Sequence, residues 1–303
     1  MEVTRVFCEV DDFTQTLEWP SSQALLPAPT QCRDRSTDLS PSEMMTILIL
    51  FHRSDGYRNF KGYYTHYGSR YMKPEFPNLV SYSRFIQLLP RLFWPLLGYL
   101  RRRKGSCRGL NLVDSTPLKV CHNRRISRHR VFRGMAARGK TSMGWFFGLK
   151  PHLVIHETGD LLGLALTPGN TDDRDPVPQI TQGIWGKLFG DKGYLSQRLF
   201  EILRQQGIQL STSLKKNMKP RLLSLFDKLL LRKRCLIESV FDYLKNIAHL
   251  EHSRHRSPLN ALIHLVAGLI AYTYFEKRPA PRLSEQELEI IRTIKKQVPL
   301  LLC

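Results

Sequence analysis

Three acids stand out against an unusually basic background. Between residues 110 and 275 there are 25 Lys+Arg and 12 Asp+Glu, and no acid at all from Ser115 through His156. Asp114, in "NLVDST", and Asp191, in "LFGDKGY", each end a short apolar run that reads as a strand. Glu238 lies in "LLLRKRCLIESVFDYLKNIAHL", a helical pattern with Leu236, Val240, Tyr243, Leu244 and Ile247 as its apolar stripe. Arg234, Glu238 and Lys245 lie four and seven residues apart, on one line beside that stripe. Three carboxylates, two on strand ends and one on a helix, suit a hard cation such as Mg²⁺, which takes oxygen ligands. Two such ions can serve an in-line phosphoryl displacement. Each acid also has a plainer reading: Asp114 capping the turn through Ser115 and Thr116, Asp191 capping the loop into the next helix, Glu238 pairing with Arg234 or Lys245 on a solvated face.

The elements that must position these acids form a mixed set. "GLNLVDSTPL" predicts a strand, and "MGWFFGLKPHLVIHETGDLLGLALTPGN" two strands turning at Glu157–Asp160. "DPVPQITQGIW" predicts a helix capped by Asp175 with Pro176 at its first position. A strand in "GKLFGDKGY", a helix from cap Ser196 to stop Gly207 and a strand in "IQLSTSL" follow. The pattern is that of an α/β fold, a mixed sheet with flanking helices. Ahead of it, residues 1–105 read helical. "LSPSEMMTILILFHRSDG" carries a capping box, Ser40 with Glu43, with Pro41 at the first helical position and Gly56 marking the far end. "SYSRFIQLLPRLFWPLLGYLRRR" has helical spacing interrupted by Pro90 and Pro95. Between them "YRNFKGYYTHYGSRYM" mixes aromatics with cations, which suits either nucleic-acid contact or a polar connector. A tail after Pro279 and Pro281 has a second capping box, Ser284 with Glu287.

Composition narrows the partners. The 303 residues are 42% hydrophobic and carry a net charge of +20. That excess points to a polyanion, nucleic acid before membrane. The longest apolar run, "ALIHLVAGLIAYTYF", falls short of the ~20 residues a span needs, contains His264, and reads as a buried core helix. No secretory leader is expected, and six scattered cysteines without a CxxC pair point to a reducing cytoplasm and not to zinc or disulfides. Eight cations and no acid from Lys119 to Lys140 favour DNA contact by the run containing Arg124, Arg125, Arg128 and Arg130. Asp242, one turn after Glu238, is its rival as third acid. Asp172, Asp173 and Asp175 precede a proline-led helix and read as caps. His249, His252 and His255 read as phosphate or solvent contacts.

The segment around Glu238 resembles the YREK signature of DDE transposases of bacterial insertion sequences: Tyr, two residues, Arg, three residues, Glu, six residues, Lys. Arg234, Glu238 and Lys245 match, while Leu231 stands where that signature has tyrosine. "FHRSDGYRNFKGYY", "DSTPLKVCHNRRISRHRVF", "RGKTSMGWFFGLK", "TPGNTDDRDP", "GKLFGDKGY", "KKNMK", "LLLRKR" and "EHSRHRSP" resemble the insertion-sequence family numbered nine-eight-two, up to about Arg278. The resemblance implies a ribonuclease-H-like catalytic domain over residues 106–278, a DNA-end-binding domain over 1–105 and a helical tail over 279–303. It implies cut-and-paste transposition with two Mg²⁺ ions (Mn²⁺ substituting) held by Asp114, Asp191 and Glu238. Double-stranded DNA would be the partner, gripped by Arg234, Lys245, Arg124, Arg125, Arg128, Arg130, Lys215, Lys216, Lys219, Arg254 and Arg256. A homodimer or larger assembly on DNA, in the bacterial cytoplasm at the nucleoid, is expected. The competing class is a non-catalytic DNA-binding protein on the same fold.

Overall fold

The computed structural model describes residues 2–17, 39–54, 56–213, 225–232, 234–248, 250–251, 255–276 and 285. The chain makes two compact units: Met1–Arg103 with Leu244–Phe275, and a second containing Lys104–Tyr243. The linear expectation kept 106–278 together, whereas the chain rejoins the helical unit at Leu244. The reason lies in the helix Pro258–Thr273, buried on every side from Ile263 to Thr273. A helix apolar all round packs best inside a group of helices. The tail capping box lies outside the described residues.

In the first unit the helix Pro41–Phe51 begins with the expected capping box. The Glu43 amide donates to Ser40 Oγ at 3.1 Å, and the Ser40 amide donates to Glu43 Oε2 at 2.6 Å. It stops at Phe51, short of Gly56, with His52 as its cap, and the His52 ring makes buried bonds: Nδ1–H donates to Ala248 O at 2.5 Å, and Nε2 meets His264 Nδ1 at 3.1 Å. Pro90 splits the next helical stretch as expected, into Tyr82–Leu88, a 3₁₀ turn Leu89–Leu92 and Phe93–Arg102. In the aromatic segment, Tyr63 and Tyr64 are buried in a π-helix Tyr63–Gly68, while Tyr67 and Tyr71 reach solvent. His255 departs from its expected solvent role. Its ring packs 4.9 Å from that of His264, and burial pushes its pKa down to about 4. Among the described residues no helix is long and apolar enough to cross a membrane.

The second unit is built on a seven-stranded mixed sheet. Its strands are β1 Leu110–Ser115, β2 Leu118–Cys121, β3 Ala137–Thr141, β4 Gly144–His156, β5 Leu161–Pro168, β6 Gly186–Gly190 and β7 Ile208–Thr212. The path runs β2-β4-β1-β6-β7, with β3 and β5 also pairing with β4. β1, β6 and β7 are mutually parallel, and β4 is antiparallel to β1. Helices cover both faces. Val113, Val154 and Leu188 face the helices Val177–Ile180 and Gln197–Gln205 in one apolar cluster. Side chains alternate across a strand, so Lys187 faces the other way, where its ammonium meets the buried Asp227 of the helix Leu225–Arg232 at 2.7 Å. The helix expected from Asp175 is one turn long and starts a residue late, with Pro176 as its cap. Four residues cannot hold an isolated helix, and Val177 and Ile180 are kept in place by burial.

Candidate active site

Asp114 and Asp191 reach the same edge of the sheet through register. β1 and β6 run parallel with Leu112 opposite Phe189, so Asp114 near the end of β1 and Asp191 just past the end of β6 come to the same edge of the sheet. Strand ends of this kind are where α/β sheets gather their sites. Asp114 follows the core residue Val113 and so takes the opposite face, the face on which Leu236, Ile237 and Val240 of the helix Cys235–Asp242 are buried. Gly190 lets the next turn fold back tightly: a Cβ there would meet the Tyr194 ring at 3.0 Å.

Arg234 ties the site together. Its guanidinium lies 3.1 Å from Asp191 Oδ1 and 3.5 Å from Glu238 Oε1. Burial pushes the Asp114 carboxyl up to about 6. The Ser115 amide and the Arg234 charge pull it down, and the charges of Asp191 and Glu238 push it further up. The three acids therefore act on one another through space, and among the described residues Arg234 is the guanidinium they share. Local caps coexist with this arrangement. The Ser115 amide donates to Asp114 Oδ1 at 2.8 Å, and the Lys192 amide donates to Asp191 Oδ1 at 2.7 Å. Among the described residues no three His, Cys, Asp or Glu side chains stand close enough to hold a metal ion. The donor set consists of carboxylate oxygens alone, which is the chemistry Mg²⁺ prefers.

The helix expected around Glu238 is described in three stretches. It comprises Leu225–Arg232, then Cys235–Asp242 led by Arg234, then a π turn Tyr243–Ile247. The wider π turn shifts the apolar stripe, so Ile247, expected to be buried, is 38% exposed. Lys245 falls in that turn, and its ammonium lies 3.8 Å from Glu251. Asp242 is exposed one turn beyond Glu238. Arg124, Arg125 and Arg128 sit exposed on a 3₁₀ turn Asn123–Arg128, and Arg130 and Arg256 are exposed as well. Lys215, Lys216, Lys219 and Arg254 lie outside the described residues, as do His249 and His252.

Asp173 has a role that the capping reading missed. Ser115 Oγ donates to Asp173 Oδ1 at 2.8 Å, and Lys150 Nζ donates to the same oxygen at 2.8 Å. The residue after Asp114 is thereby clamped to the loop that follows β5. A lysine inside the apolar strand "GLKPHLVIH" was the available signal, because a half-buried ammonium needs an anion. Asp172, in contrast, binds its neighbour Arg174, which holds its carboxyl down at about 2.

A search of curated proteins finds no match to the chain. A family model described as "Transposase DDE domain" matches residues 104–258, just over half of the chain. Proteins of that family generally use divalent metal ions, and the mixed sheet with helices on both faces is consistent with a ribonuclease-H-like DDE domain. The chain thus belongs to the transposase DDE domain family, a polynucleotidyl transferase type of enzyme.

Proposed function

We propose that the protein cuts DNA at the ends of a mobile element and joins those ends to target DNA, as the transposase of an insertion sequence similar to the family numbered nine-eight-two. The observation that carries this reading is the sharing of Arg234 by Asp191 and Glu238 beside Asp114, within a chain of the DDE family. Asp114, Asp191 and Glu238 would hold two Mg²⁺ ions, or Mn²⁺ in their place. Such ions supply activation of the attacking hydroxyl and charge stabilisation at the leaving oxygen. Arg234 neutralises two of the acids in their absence and is placed to pair with a phosphate once they are bound. Arg124, Arg125, Arg128, Arg130, Lys245 and Arg256, with Lys215, Lys216, Lys219 and Arg254, hold DNA backbone by charge.

In the same reading, residues 1–105 bind the element's ends, the chemistry lies within residues 106–278, in the part of them up to Tyr243 that holds the three acids, and 279–303 form a tail. The protein works as a dimer or larger assembly on DNA in the cytoplasm. The non-catalytic alternative has no observation in its favour, since all three acids are present. Incubation of labelled element ends with protein and Mg²⁺ tests the proposal. Ends joined to target through their 3′-OH are the expected product. End binding with neither cleavage nor joining would leave only the non-catalytic reading.

A further inference from the structure

The β3–β4 hairpin carries chemistry that the acid site does not use. Lys140 stands directly opposite Trp145 across the two strands, and Arg138, two residues back, shares its face. The Arg138 and Lys140 charges lie 4.9 and 5.7 Å from the Trp145 ring centroid. Even so, Trp145 leaves 51% of its surface in water. The Asn123 side-chain amide donates to the Trp145 backbone carbonyl at 2.7 Å, which fastens the exposed arginine turn Asn123–Arg128 to the same strand.

Beside the indole lies a cavity of about 420 Å³, walled by Arg138, Lys140, Trp145, Lys150 and Asn170 and reaching Gly193, two residues past Asp191. Gly139 and Gly169 also line it and pack against each other, since a Cβ on Gly139 would come within 2.1 Å of Gly169 O. Asp172 and Asp173 also border it, but their charges are met by Arg174 and Lys150. Arg138 and Lys140 therefore dominate its field. A ligand that satisfies an exposed indole, two cations and a side-chain amide together is a flat aromatic ring joined to an anion. Duplex DNA offers the anion, yet its bases are stacked on one another and present no open face to an indole.

We propose that this cavity is a subsite for one unpaired nucleotide of single-stranded DNA, its base on Trp145 and its phosphate on Arg138 and Lys140. The proposal rests on the transposase reading for the source of that strand, but not for the binding itself. Full-length protein is titrated with a short oligothymidylate and, separately, with a duplex of equal length. Trp145→Ala should weaken oligothymidylate binding on the order of 10-fold or more, and duplex binding by less than about twofold, since a stacked base is lost only from the single strand. Trp145→Phe should keep most of the affinity while losing the tryptophan fluorescence quenching that the wild type and Trp185→Phe show with oligothymidylate. Arg138→Gln with Lys140→Gln should lower the salt dependence of single-strand binding by about one to two units of log–log slope. Unchanged oligothymidylate affinity in Trp145→Ala, equal losses for both DNAs, or quenching that survives Trp145→Phe and disappears in Trp185→Phe would each overturn the subsite. The end-joining assay separates the two ideas. Joining with intact single-strand binding in Trp145→Ala removes the subsite alone, and Trp145-dependent binding without joining removes the transposase reading alone.

Discussion

Two groups of acids lie in the same unit and differ in how they are neutralised. Asp172, Asp173 and Asp175 come from one loop. There Asp172 has Arg174 and Asp173 has Lys150 as a private cation, and the carboxyl of Asp172 is held at about 2. Asp114, Asp191 and Glu238 come from two strand ends and a helix. Among the described residues they share one guanidinium, and the carboxyl of Asp114 is raised to about 6. An acid with its own cation, as Asp172 and Asp173 have, is finished structure. A trio with a shortage of positive charge has room for an added cation, and that is what a metal-dependent site requires.

The largest expected effect tests the trio directly. Asp114→Asn, Asp191→Asn or Glu238→Gln should each lower end joining roughly 100-fold or more, the scale on which loss of one charge-stabilising group acts. Binding to end DNA should change by less than about twofold, and Asp242→Asn should join normally. Joining abolished by Asp242→Asn and retained by Glu238→Gln would exchange the roles of those two acids. The loop group should answer in stability instead. Asp173→Ala removes the anion from Lys150, whose side chain is 12% exposed, and the acceptor from Ser115. Thermal or denaturant unfolding should register a loss of about 2 kcal/mol, and Asp173→Asn should recover part of it.

A smaller effect is expected at Arg234. Replacing it with Met leaves three acids without their shared cation, and metal-free stability should fall by about 1 kcal/mol, given the exposure of Asp191 and Glu238. Added Mg²⁺ should restore it, because an ion that binds only the folded state stabilises that state. No recovery with Mg²⁺ would place the trio alongside the loop as fixed structure. Asp172→Asn should be the mildest, at about 0.5 kcal/mol or less for an exposed pair. Its carboxyl drops from 3.8 to about 2 on folding. The contribution is therefore present above about pH 4 and lost as pH falls through 2. Wild type and Asp172→Asn should thus converge in acid, and a gap that widens there would contradict the pairing with Arg174.

Much of this frame was legible in the residues. Capping boxes and N-caps act over three or four positions, so Ser40, Glu43 and Ser196 could be read directly and stand as expected. Strand β1 ending near Asp114, and the β4–β5 hairpin at Glu157–Asp160, followed from alternation and turn chemistry. The π turn after Asp242 was not legible. Helical propensity continues through it, and a departure of this kind is set by packing and not by local preference. The departure of residues 244–275 to the helical unit was hidden for the same reason.

By itself the sequence determined the charge excess, the succession of strands and helices, the identity of three acids in a basic field and the likeness to DDE transposases. Tertiary structure alone decided that Asp191 joins Glu238 on Arg234. Parallel strands bring Asp191 to the same sheet edge as Asp114, 77 positions earlier in the chain, and the packed helix brings Arg234 to Asp191 and Glu238 together. It likewise decided that Asp173 clamps Ser115 and that Trp145 stands exposed between cations. Local pattern specifies what each segment can be. Electrostatics and packing fall off over a few ångströms of space, whatever the separation along the chain, so a site is made only when the fold closes that distance.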